Sequence, residues 1–366
     1  MNIRVCHVAE AGGGVQRHLE DIDIYMDSTV ENHFIISPLR NSMKSTGKFL
    51  SHLNMVRNIS PFNDIVSAVR LVKLLKIIQP DIIHAHSAKA GALTRLTYII
   101  HGIPVVYSPH AFAFNNYIRD IKSLVFSLFE KFLSLSGKRI IVSCNSEKDL
   151  AKAHKICAKK KLRVVNNGID VNKYKACYKK IQTEKLNLLF VGRLCRQKNP
   201  DVLIQAVSIL KKRGIKVKLV LVGDGERTAL MKREVTRFGL EEEVALLGYR
   251  ADVKELVGSC DIILMPSLWE GLPYFLLESL ASGKPVVGGN ITGIKDVIVD
   301  TYNGYLCNPI DPIDIANKII SLSKDLTYGN SVFTNCINTI KDGFIVQGMC
   351  LDLKNIYNEV KEESKR

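Results

Sequence analysis

The stretch Leu264–Val287 reads LMPSLWEGLPYFLLESLASGKPVV and decides the fold of the second half of the chain. An apolar strand pattern leads into a loop that carries Glu270, and a helix pattern follows that carries Glu278. Such a strand-loop-helix unit presents backbone N–H groups and the positive end of a helix dipole to an anion. The two carboxylates are acceptor-only groups, which suits them to binding hydroxyls. The pattern predicts a phosphate at the helix start with a polyol on each side, as a nucleotide-sugar would lie.

Apolar runs alternate with helical patterns along the chain, which is typical of βα units on a parallel sheet. A polar, lysine-rich segment interrupts the alternation, and 366 residues are too many for one ordinary core. We therefore predict an α/β fold with two Rossmann-like parallel-sheet domains facing a cleft. The clearest helix pattern is Pro61–Ile78, whereas 323–341 shows no pattern that we can assign. The expected limits are 1–172 for the first domain, 173–186 for the linker, 187–343 for the second domain and 344–366 for a final helix.

The composition fits a soluble globular protein in a reducing compartment. Hydrophobic residues make up 46% of the chain, and no apolar run approaches the roughly 20 residues that a membrane span needs. The N-terminal sequence MNIRVCHVAEAGGG is typical of a first strand and not of a signal peptide. The nine cysteines are scattered without a CxxC pair, which predicts free thiols and argues against a disulfide framework or a zinc site. We expect a cytoplasmic protein.

The net charge of +15 is unevenly distributed. Residues 1–170 hold 23 Lys and Arg against 13 Asp and Glu, a surplus of 10, and the remaining residues hold a surplus of 5. A basic first half suits anionic lipid headgroups, a diphosphate-linked acceptor or nucleic acid. Solubilising lysines without a partner are the alternative. Asn115–Lys138 mixes apolar and basic residues, which suits either an amphipathic helix on a membrane or a domain helix with its apolar stripe on the core.

Three glycines, Gly12–Gly14, follow the first expected strand and precede Arg17. Consecutive glycines let the backbone approach a phosphate or sugar closely, although a plain tight turn would use them equally well. The spacing lacks the third glycine of a dinucleotide fingerprint. An oxidoreductase is therefore disfavoured.

Three polar side chains at expected strand ends are candidates for chemistry. Arg193 offers a planar fork to phosphate oxygens and Lys198 a compact point charge, so together they could neutralise a departing diphosphate. His110 could orient a sugar hydroxyl or relay a proton, but a single histidine at such a place is as often structural.

Two patterns suggest a metal, and both are weak. His84 and His86 share a face of an expected strand, but no acid lies on that face. Asp21 and Asp23 form a DxD pattern within an expected helix, where a solvated helix face is the favoured interpretation. We predict no required metal and no cofactor.

Taken together, these segments resemble the retaining GT-B glycosyltransferases of family four, the large group 1 transferase family. The most specific match is Glu270–Glu278, which fits the E-x7-E motif of that family, and Ala281–Val286 continues it. His84–Leu96 and Tyr107–Phe114 resemble a subset that builds bacterial surface polysaccharides. Asn199 replaces a common glycine, and 288–296 is an altered form of the glycine-rich loop of the family. Supporting matches are Gly192-Arg193 with Lys198, Val222–Gly225, Leu247–Tyr249, Asn167–Asp170 and the glycine run before VQRHL.

The resemblance implies a role for each candidate. Glu270 would hold hydroxyls of the donor sugar and Glu278 the ribose. Arg193 and Lys198 would stabilise the leaving diphosphate, and His110 would contact the reacting sugar. The final helix would cross back to the first domain. Gly13 and Gly14 would lie at the β-phosphate, and Arg250 would lie by the base. The remaining positions implied in donor binding are Gly192, Gly271, Leu272, Pro273, Tyr274, Phe275 and Glu278.

The expected function is transfer of a sugar, with retention, from a nucleotide-sugar to a hydroxyl of a glycan or a polyprenyl-diphosphate-linked acceptor. A UDP-sugar is the expected donor. The enzyme would act in the cytoplasm, with peripheral contact to an anionic membrane and without nucleic acid. One alternative is a nucleotide-sugar epimerase on the same fold. The other is a basic nucleic-acid-binding protein, although nothing in the chain resembles a recognition helix or an aromatic RNA platform.

Overall fold

The computed structural model describes residues 2–10, 12–37, 50–53, 55, 60–112, 114, 121–174, 185–328 and 331–365. The chain divides into two compact units. Unit 1 comprises Met1–Gly168 and Val346–Arg366, and unit 2 comprises Ile169–Ile345. Of the expected linker, 175–184 lies outside the described residues, as does 115–120 of the expected amphipathic segment.

Each unit is built on one parallel sheet. The seven strands of unit 1 have the order β3-β2-β1-β4-β5-β6-β7, and the six strands of unit 2 have the order β10-β9-β8-β11-β12-β13. The prediction of an α/β fold with two parallel-sheet domains is confirmed. The strands are β1 Ile3–Glu10, β2 Val30–Ser37, β3 Leu50–His52, β4 Ile82–His86, β5 Val105–Ser108, β6 Arg139–Val142, β7 Leu162–Val164, β8 Lys185–Val191, β9 Lys216–Val222, β10 Val244–Gly248, β11 Ile262–Met265, β12 Val286–Gly289 and β13 Gly304–Cys307.

Helices follow most of the strands. Pro61–Ile78 forms one helix, as its apolar spacing predicts, with proline in the first turn and Gln79 in the left-handed conformation at its end. The described α-helices are α1 Gly14–Tyr25, α2 Pro61–Ile78, α3 Ala88–Leu96, α4 Tyr98–His101, α5 Ile121–Leu133, α6 Asn145–Ala153, α7 Asp201–Lys212, α8 Thr228–Arg237, α9 Val253–Ser259, α10 Tyr274–Ala281, α11 Pro312–Tyr328, α12 Ser331–Gly343 and α13 Val346–Lys365.

The strand order places a topological switch point in each sheet. In unit 1 it lies between β1 and β4, and in unit 2 between β8 and β11. Connections leave the two central strands in opposite directions there, so a crevice opens beyond their carboxyl ends. Within each sheet, the loops that follow the two central strands therefore lie beside the same crevice.

The unit 1 sheet is buried on both faces, which explains why its strands carry runs of apolar residues. One face, which includes Val5 and Ile82, packs with Val346 and Leu353 of α13. The other face packs against α2 and α3 in a separate apolar cluster. The helix α13 also contacts α1, β1 and β4, so it belongs to the core of unit 1.

One expectation about a helix is wrong, and one segment without an expected structure is helical. Asp21 and Asp23 do not lie on a solvated face, because both are buried on α1, and Asp21 pairs with Arg17 one turn earlier at 3.0 Å. The segment 323–341, which shows no assignable pattern in the sequence, contributes to α11 and α12.

None of the described helices is both long enough and apolar enough to cross a bilayer. Eight cysteines of the described part of the chain are free thiols, as expected. Burial raises the pKa of Cys260 and Cys307 to about 12, so both thiols stay protonated at neutral pH.

Candidate functional site

In unit 2, the loops that follow the two central strands are joined at the switch point. Lys198 Nζ lies 2.5 Å from Glu270 Oε1, and both side chains are largely shielded from solvent. Gln197 joins the same two loops by two hydrogen bonds. Its side-chain amide donates to the backbone carbonyl of Trp269 at 3.0 Å, and its backbone carbonyl accepts from the N–H of Leu268 at 2.8 Å. The structure therefore brings together a basic and an acidic residue that are 72 positions apart in the sequence.

The segment after Glu270 offers its backbone more than its side chains. Leu272 and Tyr274 are buried in the core of unit 2. Pro273 occupies the position before α10, which begins at Tyr274 and includes Phe275 in its first turn. The first turn of an α-helix directs its backbone N–H groups outward along the axis, where they attract an anion. The segment is thus suited to contact a phosphate or sugar through its main chain.

Glu278 lies on α10 and is half-buried. The Tyr174 hydroxyl donates a hydrogen bond to Glu278 Oε1 at 2.7 Å. Lys254 Nζ lies 5.3 Å from the centre of the Tyr174 ring. Tyr174, which our sequence analysis did not identify, therefore fixes one oxygen of the carboxylate.

Two glycines of unit 2 permit close backbone contacts at this place. A Cβ on Gly223, which has φ +123°, would lie 2.0 Å from the carbonyl oxygen of Gly192. A Cβ on Gly293, with φ +85°, would lie 1.4 Å from the carbonyl oxygen of Gly271. Only glycine fits at either position. The altered loop 288–296 therefore braces the main chain next to Glu270.

The two predicted arginines of unit 2 differ in their surroundings. Arg193 is exposed, and it forms no ion pair within the part of the chain that the structure describes. Arg250 is also exposed, but Asp252 holds its guanidinium in a two-point contact with distances of 2.6 and 2.7 Å. Arg193 is thus the more available of the two for an anionic ligand.

In unit 1, the glycine loop leads from β1 into α1. Gly13 precedes the first turn with φ 54° and ψ −122°, a conformation that favours glycine, and Gly14 is the first residue of α1. A Cβ at Gly13 would meet nothing within 4 Å. The main chain is therefore open to close approach at the point where the sequence predicts a phosphate contact.

His110 follows β5 in a left-handed backbone conformation with φ 57°. Its Nε2 lies 3.0 Å from Nδ1 of His86, and the His18 ring stands edge-on with the ring centres 4.8 Å apart. Burial lowers the pKa of His110 to about 4, so the imidazole is neutral at physiological pH. His110 is thus one member of a histidine cluster and not an isolated side chain.

Our sequence analysis missed two members of this cluster, His7 and His18. His7 lies on β1 and hydrogen-bonds to His86 at 3.0 Å, while His18 lies on the buried face of α1. The alternation of β1 places His7 on the same face as Ile3 and Val5. A polar residue on a buried strand face was the signal that could have identified it.

Two groups of three histidines bring their ring nitrogens within 4.8 Å of one another: His7 with His84 and His86, and His18 with His86 and His110. Burial lowers the pKa of His18, His84 and His86 well below the usual value. Neutral imidazoles are suited to ligate zinc or a similar cation. The structure also joins several of these nitrogens by hydrogen bonds, which compete with a metal for the same lone pairs.

Comparisons with known proteins identify the family. The family described as Glycosyltransferase Family 4 matches residues 12–173, and the family described as Glycosyl transferases group 1 matches residues 178–331. The Escherichia coli UDP-Gal:alpha-D-GlcNAc-diphosphoundecaprenol alpha-1,3-galactosyltransferase is 29% identical over 374 residues, covering 97% of this chain and 96% of the relative. The Staphylococcus aureus capsular polysaccharide biosynthesis glycosyltransferase CapM is 22% identical over 377 residues, covering 100% and 99%.

The fold of solved structures agrees with this assignment. The crystal structure of Anabaena HepE in complex with UDP-glucose has a TM-score of 0.84 and 20% sequence identity, and the match covers 98% of this chain and 100% of that one. The two family matches together span most of the sequence, one on each side of residue 175. The chain is therefore a glycosyltransferase that belongs to the group 1 and family 4 transferases.

Proposed function

We propose that this glycosyltransferase moves a sugar from a UDP-sugar to a hydroxyl of a polyprenyl-diphosphate-linked glycan during synthesis of a bacterial surface polysaccharide. The contact between Lys198 and Glu270 at the switch point of unit 2 carries the proposal. The names of the relatives support it, since one acts with UDP-Gal on a diphosphoundecaprenol-linked sugar and another serves capsule synthesis.

The donor would bind along the loops of unit 2. Glu270 would accept hydrogen bonds from sugar hydroxyls, and Glu278 would accept them from the ribose. Lys198 and Arg193 would neutralise the diphosphate, together with backbone N–H groups near the start of α10. Lys198 pairs with Glu270. The incoming diphosphate would compete for that ammonium and release the carboxylate for the sugar.

We further propose that the transfer proceeds with retention at the anomeric carbon and without a required metal. The acceptor hydroxyl would attack from the face that the diphosphate leaves, and an oxygen of the leaving phosphate would take its proton. No separate general base is needed in that scheme. Catalysis then depends mainly on stabilising the leaving group. Removal of one such contact typically raises the activation free energy by about 3 kcal/mol.

The acceptor side would involve unit 1 and an anionic membrane surface in the cytoplasm. Helix α5 exposes a broad apolar surface: Leu124, Val125, Phe126, Leu128, Phe129 and Phe132 are 41–61% exposed. Residues 1–170 also hold the larger share of the positive charge. An apolar helix face on a basic domain favours the membrane interpretation of this segment, since it would insert among headgroups that the basic residues attract.

Transfer assays test the proposed reaction. Purified enzyme is incubated with UDP-hexoses, with and without a polyprenyl-diphosphate-linked sugar, and the release of UDP and the identity of the products are measured. We expect UDP release that depends on the acceptor, and a product that keeps the anomeric configuration of the donor. A rearranged nucleotide-sugar formed without acceptor would instead support the epimerase alternative.

Vesicle sedimentation tests the membrane proposal. We expect the enzyme to sediment with anionic vesicles at low salt and to be released at high salt. Replacement of Leu124 and Leu128 by Gln should abolish sedimentation, whereas Val299→Gln, an equally exposed apolar position in unit 2, should not. Sedimentation of the double variant at the level of the unmodified enzyme would exclude α5 as the docking surface.

A further inference from the structure

The helix α5 of unit 1 is inverted, since its buried side is polar and its outer side is apolar. Leu133 is the single buried apolar residue among the described side chains of this helix. The opposite side exposes apolar side chains, among them Leu124, Phe129 and Phe132. A surface helix in water normally places the two kinds of residue the other way round. The buried polar residues of α5 and of the short turn that continues it recur at helical spacing, and they are Ser123, Ser127, Glu130 and Ser134.

The helix α13 of the same unit shows the usual arrangement. It buries apolar side chains such as Leu353, Ile356 and Val360, and it exposes polar ones such as Asn355 and Glu362. Burial of apolar area therefore holds α13 in place. The same effect contributes little to the position of α5, whose buried side is mostly polar.

A buried ion pair takes the place of apolar packing beneath α5. Arg95 Nη2 of α3 donates to Glu130 Oε2 at 2.9 Å, and the Tyr107 hydroxyl of β5 donates to Glu130 Oε1 at 3.0 Å. The Arg95 guanidinium also lies over the Tyr107 ring, 3.9 Å from its centre. Burial, reinforced by the charge of Glu130, raises the pKa of Tyr107, so its hydroxyl remains a donor. Arg95, Tyr107 and Glu130 are all buried, and we call them the Arg95 cluster.

These contacts fix the rotation of α5 about its axis. Ser127 adds another polar contact, since its Oγ lies 3.1 Å from Nδ1 of His154 at the end of α6. Rotation of the helix would bring Phe129 and Phe132 inward, which the hydrophobic effect favours in water, but it would break the ion pair. The ion pair and its hydrogen bonds become stronger when a medium of low polarity covers the outer side. The inverted arrangement is thus suited to a helix that lies against hydrocarbon.

The charges around α5 indicate which partner covers its outer side. Residues 121–138 contain three lysines and one acid, and that acid is the buried glutamate of the Arg95 cluster. Lys161 lies at the end of this segment, where its Nζ donates to Ser134 O at 2.8 Å. Burial lowers the pKa of Lys161, and the charges of Lys138 and Lys160 lower it further. An anion there would relieve this repulsion, so an apolar side bordered by lysines fits an anionic bilayer.

We propose that the Arg95 cluster positions α5 so that its apolar side stays directed outward, into the acyl chains of an anionic bilayer. The headgroup phosphates bind Lys138, Lys160 and Lys161 at the end of the helix. The inference rests on the proposed docking of α5 to a membrane. It adds the buried residues that enforce the orientation and the lysines that contact the lipid.

Two paired substitutions test the Arg95 cluster by sedimentation with vesicles of phosphatidylglycerol and phosphatidylcholine. The first pair, Arg95→Met with Glu130→Leu, makes the buried side of α5 apolar. The second pair, Arg95→Gln with Glu130→Gln, removes the same charges but keeps hydrogen-bonding groups there. We expect the first pair to bind vesicles at least about tenfold more weakly, the effect of withdrawing one phenylalanine from the acyl chains. The second pair should bind like the unmodified enzyme. Equal binding in all three, or an equal loss in both pairs, overturns the positioning role.

Tryptophan fluorescence shows which way α5 faces. Phe132→Trp in a Trp269→Phe background leaves one tryptophan in the chain, on the outer side of α5. Acrylamide should quench it in solution, and lipids with brominated acyl chains should quench it on vesicles. In the first pair acrylamide quenching should decrease, because the aromatic side turns inward. Unchanged quenching overturns the proposal, and increased quenching does so as well, since it would show that the cluster only keeps the domain folded.

Substitution of lysines tests the headgroup contact. Replacing the three lysines at the end of α5 by Gln should weaken binding to anionic vesicles about 10²-fold and leave binding to pure phosphatidylcholine vesicles unchanged. The control replaces three exposed lysines of unit 2 by Gln, and it should have little effect. An equal loss in both triple variants would show a response to net charge alone and overturn the headgroup assignment. The control positions are Lys212, Lys216 and Lys232.

Two further results separate the remaining outcomes. Without lipid, the unmodified enzyme and Leu124→Gln should have the same sedimentation coefficient. A dimer that Leu124→Gln dissociates would show that a second copy covers α5, which overturns the bilayer assignment. If the unmodified enzyme does not sediment with anionic vesicles, the proposed docking and this inference both fail, while acceptor-dependent transfer to a short-chain, water-soluble acceptor still stands.

Discussion

The two units place different chemistry at the same topological position. At the switch point of unit 2 lies a charged pair, Lys198 with Glu270, and at that of unit 1 lie buried, uncharged imidazoles. All nine histidines of the chain lie within unit 1, and the sequence of unit 2 contains none. Charges suit a diphosphate, and neutral hydrogen-bonding rings suit hydroxyls. The same sheet topology thus carries two different kinds of polar side chain at its switch point.

The difference follows from solvation. The side chains of Lys198 and Glu270 are 21% and 9% exposed to solvent, and each compensates the charge of the other. His84 and His86 are fully buried, and their hydrogen-bond partners in the described part of the chain are other histidines and the hydroxyls of Tyr357 and Ser108. An imidazolium there would therefore lose its hydration without gaining a counter-charge from these partners. Unit 2 can therefore carry charge at its switch point, and unit 1 cannot.

The largest expected effect is the response of unit 1 to acid. The pKa of His18, His84, His86 and His110 is lower in the folded protein than in the unfolded chain, so the unfolded chain binds more protons below pH 6.5. Stability is therefore complete above about pH 6.5 and falls as the pH decreases towards about 4. One pH unit below 6.5, the loss of stability is roughly 1 kcal/mol for His110, and His18, His84 and His86 contribute in the same direction.

Hydrogen exchange measured by mass spectrometry at several pH values checks this prediction for each unit separately. After correction for intrinsic exchange rates, amides of unit 1 should lose protection between pH 6.5 and 5, and amides of unit 2 should not. Equal loss in both units would contradict the assignment of the acid response to the histidines. Neutral substitution of His84 and His86 should shift the transition of unit 1 to lower pH.

The second effect concerns the charged pair of unit 2. Lys198→Ala should lower kcat by a factor of about 10² to 10³, because the leaving diphosphate loses a charge-assisted contact in the transition state. Steady-state kinetics with a saturating donor measure the change. Lys211→Ala is the matched control, since Lys211 also pairs with a glutamate, Glu243, at the surface of the same unit. A similar kcat in the two variants would remove Lys198 from the proposed site.

These two effects also show what the sequence could predict. The candidate site of unit 2 follows from a local motif, because Glu270 and Glu278 lie in one strand-loop-helix unit and Lys198 lies in the loop after the neighbouring strand β8. The histidine cluster in unit 1 combines residues from separate elements, and its contacts depend on strand register. A single sequence predicts that strands exist but not which residues of two strands face each other.

Two further features, the helix α12 and the burial of Asp21 and Asp23, were not predicted from the sequence. In α12, Val332, Cys336 and Ile340 are buried at a spacing of four, a helical pattern that mixed polar residues conceal. The burial of Asp21 and Asp23 was unexpected because charged side chains are seldom buried unless paired. Asp21 has such a partner in Arg17, one turn away on α1, and this i,i+4 pair could have been recognised from the sequence.

The third effect tests whether unit 2 needs a rigid main chain next to its charges. Gly293→Ala should destabilise the protein by about 2 kcal/mol, because the added methyl group meets the carbonyl oxygen of Gly271. Gly214→Ala is the control, since Gly214 also has a positive φ but open space around it. Chemical denaturation measures both variants. If the free energy of unfolding falls by the same amount in Gly293→Ala and Gly214→Ala, backbone strain alone is responsible and the contact with Gly271 does not contribute.

The smallest effect separates the nucleoside end of the proposed site from its sugar end. Tyr174→Phe removes the hydroxyl that donates to Glu278, so the carboxylate is less well oriented for the ribose. One hydrogen bond contributes about 1 kcal/mol, so KM for the donor should rise about fivefold with little change in kcat. Tyr305→Phe, which removes a comparable hydrogen bond to Asp325, should leave KM unchanged. Because the ribose is common to all UDP-sugars, Tyr174→Phe should weaken the binding of every UDP-sugar donor equally. A Tyr174→Phe enzyme whose preference among donor sugars changes would contradict the assignment of Glu278 to the ribose.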